Sequence, residues 1–173
     1  MSDNAWPDAI YRALVDAHVR VVGIVPDAGH ARLIKLCTAD YDMRVVSLTS
    51  EEEGVGLVSG AWLGGKCGAL LMQSSGVGNC INAIASLTVS CQFPLLMLVT
   101  MRGEWGEGNP WQVPMGRATP RVLDNLGMRV ATVNQSDEVG ETVSAMAGLA
   151  FKAQAATAVL LSQRLIGTKS FQD

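Results

Sequence analysis

The chain has 173 residues and a formal net charge of −3, and 49% of its residues are hydrophobic although only 5% are aromatic. This length suits one domain with a sizeable core. Lysine and arginine are too scattered for the phosphate contacts of a nucleic-acid-binding protein. The longest apolar run, residues 94–99, falls far short of the ~20 residues of a membrane helix. With four scattered cysteines that lack metal or disulfide spacing, the sequence predicts a cytoplasmic protein.

Apolar runs alternate with segments of helical periodicity along most of the chain. Strands are predicted at residues 20–25, 44–48, 67–72, 94–100, 128–133 and 157–161. Helices are predicted at residues 5–19 and 31–37, from 51 to the glycines at 64–65, from the turn at 73–79 through 87, and at 120–126 and 137–153. This alternation, without a linker, predicts a single α/β domain over residues 1–173. We expect a doubly wound, mainly parallel sheet of about six strands with helices on both faces.

Three consecutive glutamates at residues 51–53 follow the second strand and begin a helix. Ser50 with Glu53 fits a capping box, which would make these acids simple helix caps. Three glycines behind them each cost a helix about 1 kcal/mol relative to alanine, and indicate close approach of a backbone or ligand: Gly54, Gly56 and Gly60. Open α/β sheets bind ligands at the carboxyl ends of their strands. A functional carboxylate and an ordinary cap are therefore both open interpretations.

The turn at residues 73–79 follows the third strand and opens a helix. Its N–H groups and hydroxyls suit an anion or the polar edge of a cofactor, although tight helix–sheet packing explains the glycines equally well. The nucleotide fingerprint fails because Ile81 replaces its third glycine. His30, in the turn after the first strand, lies on the same side of the sheet.

Residues 102–116 are predicted to be an irregular loop, since they lack any sustained period. A loop of this length in a compact domain is usually functional. Donors for an anionic substrate border it, among them Arg102 and Gln112.

Five segments occur in an order that makes the chain familiar: residues 51–56 (EEEGVG), 71–79 (LMQSSGVGN), 94–97 (PLLM), 102–104 (RGE) and 112–116 (QVPMG). Together they resemble the α subunits of sulfopyruvate decarboxylases and, less closely, the N-terminal part of phosphonopyruvate decarboxylases. Both groups are thiamine diphosphate enzymes. The resemblance covers roughly residues 5–165.

The resemblance implies a pyrimidine-binding domain in which one glutamate hydrogen-bonds N1′ of the cofactor. Family members have a Gly-Ala or Gly-aromatic pair nine residues after this glutamate. Gly60 and Ala61 fit that spacing from Glu51, so Glu51 is the expected catalytic residue, with Glu52 as second choice. Some relatives place a catalytic histidine near the following turn, where this chain has Met72.

Further site residues follow from the same resemblance. The expected cofactor-binding residues, besides Glu51, are Gln73, Ser74, Ser75, Gly76 and Asn79. The expected substrate-binding residues are His30, Arg102 and Gln112.

The family binds the diphosphate through Mg²⁺, with a Gly-Asp-Gly motif and a later Asn on a second domain. No Gly-Asp-Gly occurs in these 173 residues. The resemblance therefore implies that a separate β chain holds the diphosphate and Mg²⁺, and that this chain supplies no metal ligand. Complete sites are expected in an α2β2 or larger hetero-oligomer.

The expected function is that of the α subunit of a two-chain decarboxylase converting 3-sulfopyruvate to sulfoacetaldehyde and CO2. Phosphonopyruvate remains an alternative substrate, as does an aromatic 2-keto acid whose ring Trp105 and Trp111 would line. A non-catalytic α/β binding or regulatory module is the alternative of another class. It predicts a monomer without cofactor-dependent assembly.

Overall fold

The computed structural model describes residues 6–167, and within them the chain forms one parallel sheet with helices on both faces. The strands are β1 (Val19–Ile24), β2 (Arg44–Ser47), β3 (Cys67–Gln73), β4 (Leu95–Thr100), β5 (Arg129–Val133) and β6 (Ala156–Leu161). The six strands pair in the order β2-β1-β3-β4-β6-β5, and every pairing is parallel. The predicted doubly wound α/β fold is confirmed. Residues 1–5 and 168–173, which include the start of the first predicted helix, lie outside the described part.

Helices connect these strands. They are α1 (Trp6–Asp16), α2 (Ala31–Ala39), α3 (Glu51–Leu63), α4 (Val77–Ala83, continued by a π-helical segment over Ile84–Val89), α5 (Val113–Asn125), α6 (Val139–Ala153) and the short α7 (Gln163–Ile166). Between residues 6 and 167, none of the helices combines the length and apolarity needed to cross a bilayer.

Two apolar layers pack on opposite faces of the sheet. One layer joins α1, α2 and α6 to the sheet, and the other joins α3, α4 and α5 to it. Neighbouring residues of β3 point to opposite faces, so Leu71 belongs to the first layer while Leu70 and Met72 belong to the second. Because both faces are covered, every residue of β4 is buried, which explains why the central strands are continuous apolar runs.

Helix α5 differs from the sequence prediction. Only part of the segment 102–116 is irregular, because α5 begins at Val113 and not at residue 120. Pro114 lies in the first helical turn, where a missing N–H costs nothing. Gly116 lies against the carbonyl oxygen of Arg102, where a Cβ would overlap that atom. Gly116 therefore permits close packing, and Pro114 is compatible with the start of the helix.

Open α/β sheets form a crevice between the carboxyl ends of two neighbouring strands whose connections leave on opposite faces, and here these strands are β1 and β3. The turn at residues 27–30 follows β1, and the turn at 74–76 follows β3. From β1 the chain leaves through α2 on one face, whereas from β3 it leaves through α4 on the other. Such a switch in direction is where open α/β sheets bind ligands.

Candidate active site

Glu51 is the first residue of α3 and lies at this crevice. Strand β2 ends at Ser47, and the N–H of Leu48 still donates to the carbonyl of Ile24 at 2.9 Å, so the turn before α3 is held against β1. The Glu51 side chain then points inward, leaving the residue only 9% exposed. A carboxylate at a helix N-terminus is favoured by the helix dipole.

The Glu51 carboxylate contacts the neighbouring turn and α4. Its Oε2 accepts a hydrogen bond of 2.8 Å from the side-chain amide of Asn79. Its Oε1 lies where a Cβ at position 76 would stand, so only glycine fits beside it. Three predicted site residues, Glu51, Gly76 and Asn79, are thus brought together by the fold.

The other two glutamates of the run, Glu52 and Glu53, are exposed. The carboxylate of Glu53 accepts the N–H of Thr49 at 2.8 Å. The side chain of Ser50 makes no capping hydrogen bond. The predicted capping box is therefore wrong. Ser50 makes no capping bond, and Glu53 bonds the N–H of Thr49 and not that of Ser50.

The turn at residues 73–76 shares its polar groups between the interior and the surface. Ser74 is buried; its Oγ accepts the N–H of Arg102 at 3.1 Å, and its carbonyl accepts the hydroxyl of Thr119 at 3.2 Å. Gln73 donates from its amide to the hydroxyl of the exposed Ser75 at 3.1 Å. Cofactor binding by Gln73, Ser74 and Ser75 stays a prediction.

His30 is buried behind the crevice. Its ring Nε2 lies 3.1 Å from the carbonyl oxygen of Leu98, and the residue is 0% exposed. Burial lowers the pKa of His30 below its ordinary 6.5, against the opposing charge of Asp27. The neutral ring in this position contacts backbone, and its expected role in substrate binding stays a prediction.

Asp27 is a carboxylate at the same edge that sequence reasoning missed. It follows β1, and its Oδ2 accepts hydrogen bonds from the N–H of Gly29 at 3.0 Å and the hydroxyl of Thr100 at 2.7 Å. Its position directly after a buried strand was the available signal.

Arg102 is paired inside the loop that follows β4. Its Nε and Nη2 donate to the two carboxylate oxygens of Glu107 at 2.7 and 2.5 Å. The two side chains are 6% and 2% exposed. This pairing lowers the pKa of Glu107 to about 2. Substrate binding by Arg102 stays a prediction, and neither Glu107 nor its further partner Gln163 was identified from the sequence.

Gln112 and two tryptophans belong to the same loop, and the tryptophans are largely exposed. Gln112 is half-buried, and its backbone carbonyl lies against Gly103, whose φ of +77° and lack of a Cβ permit the contact. Trp105 and Trp111 are 51% and 71% exposed. Arg164 lies 3.8 Å from the centroid of the Trp105 ring, a cation–π contact.

The arrangement of Glu51 and Asn79 fits the aminopyrimidine end of thiamine diphosphate. A buried carboxylate with one oxygen fixed by Asn79 can share a proton with a ring nitrogen. Among residues 6–167, no three His, Cys, Asp or Glu side chains cluster in a way that could hold a metal ion.

Comparisons with known proteins identify the family of this chain and several relatives. Residues 6–128 match the model of the N-terminal, cofactor-binding domain of thiamine pyrophosphate enzymes. The chain is 35% identical to sulfopyruvate decarboxylase subunit alpha of Methanococcus maripaludis, over 89% of this chain and 92% of that protein. It is 45% identical to the subunit of the same name from Methanocaldococcus jannaschii, over 67% of this chain and 69% of that one.

Two further matches are more distant. Phosphonopyruvate decarboxylase of Streptomyces viridochromogenes is 34% identical over 70% of this chain, which spans 31% of that protein. The solved 2-oxoglutarate:ferredoxin oxidoreductase of Magnetococcus marinus superposes on 96% of this chain and 29% of its own with a TM-score of 0.67. At 15% identity, that likeness concerns the fold alone.

Proposed function

Since the chain belongs to the thiamine pyrophosphate enzymes, we propose that it is the α subunit of a two-chain decarboxylase that converts 3-sulfopyruvate to sulfoacetaldehyde and CO2. The relatives named sulfopyruvate decarboxylase subunit alpha, one of them matched over nearly its whole length, support this substrate. They also confirm the resemblance predicted from the motifs.

The buried carboxylate of Glu51 is the observation that supports this function most. Thiamine diphosphate, when bound, supplies the electron sink that lets a 2-keto acid lose CO2. Glu51 would hold and return the proton at N1′ of the aminopyrimidine, as an acid–base residue in hydrogen-bond reach. Asn79 would keep the carboxylate oriented through its bond to Oε2, and Gly76 leaves the carboxylate the room it occupies.

The proposal includes a partner chain that holds the diphosphate and Mg²⁺ in an α2β2 or larger assembly. The name of the relatives implies a second subunit. Two helical glycines of α3, Gly56 and Gly60, are exposed, and a Cβ added at either position would have no atom within 4 Å. Contacts among residues 6–167 therefore do not explain why these positions are glycine. The two glycines share a face with Leu63, which is 72% exposed. Close packing of the partner against this face of α3 would account for all three residues.

Two matched substitutions test the role of Glu51. Glu51→Gln keeps the size of the side chain but removes the proton-sharing carboxylate, whereas Glu52→Gln changes the exposed neighbour. Each α variant is co-expressed with its β chain, and CO2 release and thiamine diphosphate binding are measured. We expect kcat to fall by at least about 100-fold for Glu51→Gln and to stay unchanged for Glu52→Gln. Near wild-type turnover in Glu51→Gln would remove this carboxylate from the mechanism.

The substrate is tested by a panel of 2-keto acids given to the wild-type complex. We expect the highest kcat/KM with 3-sulfopyruvate. A preference for phosphonopyruvate would indicate that the complex acts on the substrate named for its Streptomyces relative. A preference for phenylpyruvate would favour an aromatic substrate beside Trp105 and Trp111. An absence of turnover with every keto acid would favour the non-catalytic module.

A further inference from the structure

The carboxylate of Glu107 lies at the centre of the loop between β4 and α5, residues 102–112. Its Oε1 accepts hydrogen bonds from Arg102 and from the N–H of Asn109 at 3.0 Å. Its Oε2 accepts from Arg102 at 2.7 Å, from the N–H of Gly103 at 3.1 Å and from the amide of Gln163 at 3.0 Å. One side chain therefore collects donors from both ends of the loop and from α7.

Gln163 extends this network to the first half of the loop. Its Oε1 accepts the N–H groups of Glu104 and Trp105, each at 3.0 Å. Its own N–H donates to the carboxylate of Glu104 at 3.2 Å. With Arg164 over the Trp105 ring, the loop is tied to the end of β6 through five contacts to α7.

The loop is continuous with the Glu51 crevice. The N–H of Arg102 donates to Ser74, in the turn whose Gly76 packs against the Glu51 carboxylate. At the other end of the loop, Gly103 fits against the backbone of Gln112. Displacement of the loop would therefore shift both Gln112 and the 74–76 turn.

We propose that Glu107 is a positioning residue that holds the 102–112 loop, and with it Gln112 and Trp111, at the edge of the crevice. It does so by engaging the Arg102 guanidinium from both oxygens, so Arg102 orders the loop and another group binds the anionic end of the substrate. This inference rests on the proposed function, because it concerns the same site.

A double-mutant cycle in the complex with the β chain tests the assignment. Glu107→Gln, Arg102→Gln and the double variant are compared in kcat, KM and thiamine diphosphate affinity. Glu141→Gln, on the exposed face of α6, is the control for loss of one carboxylate. We expect each single variant to lower kcat/KM about 100-fold, mainly through KM, because small misplacements of a substrate-positioning segment have effects of that size. Cofactor affinity and the control stay at wild-type values.

The double variant distinguishes positioning from direct binding. If the two residues act as one unit, removing both does no more damage than removing either, since neither charge is then left buried alone. A loss for Arg102→Gln far beyond that for Glu107→Gln, adding fully in the double variant, would make Arg102 a substrate ligand and overturn the assignment. Wild-type kinetics in Glu107→Gln would overturn it as well.

Hydrogen exchange provides a readout that needs neither a folded variant nor activity. In the wild-type complex we expect the amides of Gly103, Trp105 and Asn109 to be protected, although they belong to no helix or strand. Rapid exchange of these amides would contradict the network. If the complex had no decarboxylase activity but these amides were protected, the proposed function would fail while the loop architecture stood.

Discussion

Glu51 and Gly76 depend on each other at the centre of the crevice. The carboxylate can turn inward because position 76 has no Cβ, and the turn at 74–76 can approach α3 because the residue there is glycine. Gly78, two residues further along, faces the terminal methyl group of Met115. A Cβ added at Gly78 would lie 3.5 Å from that methyl carbon, an ordinary van der Waals distance. The two glycines of one motif therefore have different roles.

Gly76→Ala should remove activity while Gly78→Ala should not. The new methyl group at position 76 would overlap the Glu51 carboxylate and force it from its place. At position 78 the methyl group makes normal contact. We expect kcat to fall about 100-fold or more for Gly76→Ala only, measured in the complex with the β chain. Equal activities would show that the carboxylate position is unimportant.

At the residue scale, the sequence carried only local signals. The run of three acids after a strand pointed to residues 51–53, the spacing to Gly60 and Ala61 favoured Glu51, and the fold shows that Glu51 is the buried member of the run. The partners of Glu107 could not be identified, because Gln163 is 56 residues away along the chain. Arg102 was interpreted as a free donor although its partner Glu107 is only 5 residues away, because the segment between them has no periodicity that would show the two side chains meeting.

Helix α3 has two different glycine faces. Its inner face carries Gly54, where a Cβ would overlap Leu70 of β3, so the helix packs directly on the sheet. Its outer face carries Gly56 and Gly60, with open space around both. The inner glycine is explained by packing on the sheet, whereas contacts among residues 6–167 do not explain the outer pair.

Gly60→Ala should affect the isolated chain and the assembly in opposite directions. Alanine favours an exposed helical position over glycine by up to about 1 kcal/mol, so the variant α chain should unfold at a higher temperature. If the partner packs closely on this face, the added methyl group weakens association with the β chain, measured by titration calorimetry.

Gly148→Ala in α6 is the matched control for Gly60→Ala. A Cβ added at Gly148 would also have no atom within 4 Å. Helix α6 packs on the face of the sheet opposite to α3. We expect this variant to gain stability with unchanged association. If Gly60→Ala also associated normally, the outer face of α3 would not be the contact surface.

Elements whose position is set by local sequence were predicted well, and elements whose position is set by tertiary packing were not. Strands β3 and β4 are buried on both faces, so their apolar runs located them to within one or two residues. Helix α5 was predicted seven residues too late, since Gly116 and Pro120 are local breakers. In the structure Gly116 packs against the backbone at Arg102, and the helix continues through Pro120. The one-turn helix α7 has too few residues to show a period.

Two buried groups at one edge of the sheet, His30 and Glu107, make the stability of the molecule depend on acid. The pKa of His30 is lowered by burial, so the folded chain resists the proton that the unfolded chain binds below pH 6.5. The pKa of Glu107 is lowered from 4.5 to about 2, chiefly by its hydrogen bonds from Arg102. Both groups bind protons more readily in the unfolded chain, so both make stability fall as the pH falls.

The two groups act in separate pH ranges. His30 lowers stability from about pH 6.5 downward, with a slope of at most about 1.4 kcal/mol per pH unit for one proton. The contribution of Glu107 is complete above about pH 4.5 and is lost between there and about pH 2. It amounts to about 3 kcal/mol in the free energy of unfolding.

Urea unfolding of the α chain between pH 3 and pH 8 should resolve these two contributions. We expect His30→Asn to be less stable than wild type at pH 8 but to lose little further stability between pH 6.5 and pH 5, because the group that takes up the proton is gone. The control His18→Asn replaces an exposed histidine and should follow the wild-type curve. Glu107→Gln should keep the loss of stability that His30 causes below pH 6.5. It should lack the steeper loss of stability that wild type shows below pH 4.5. A wild-type slope between pH 6.5 and pH 5 in His30→Asn would place the acid sensitivity of the fold elsewhere than in this ring.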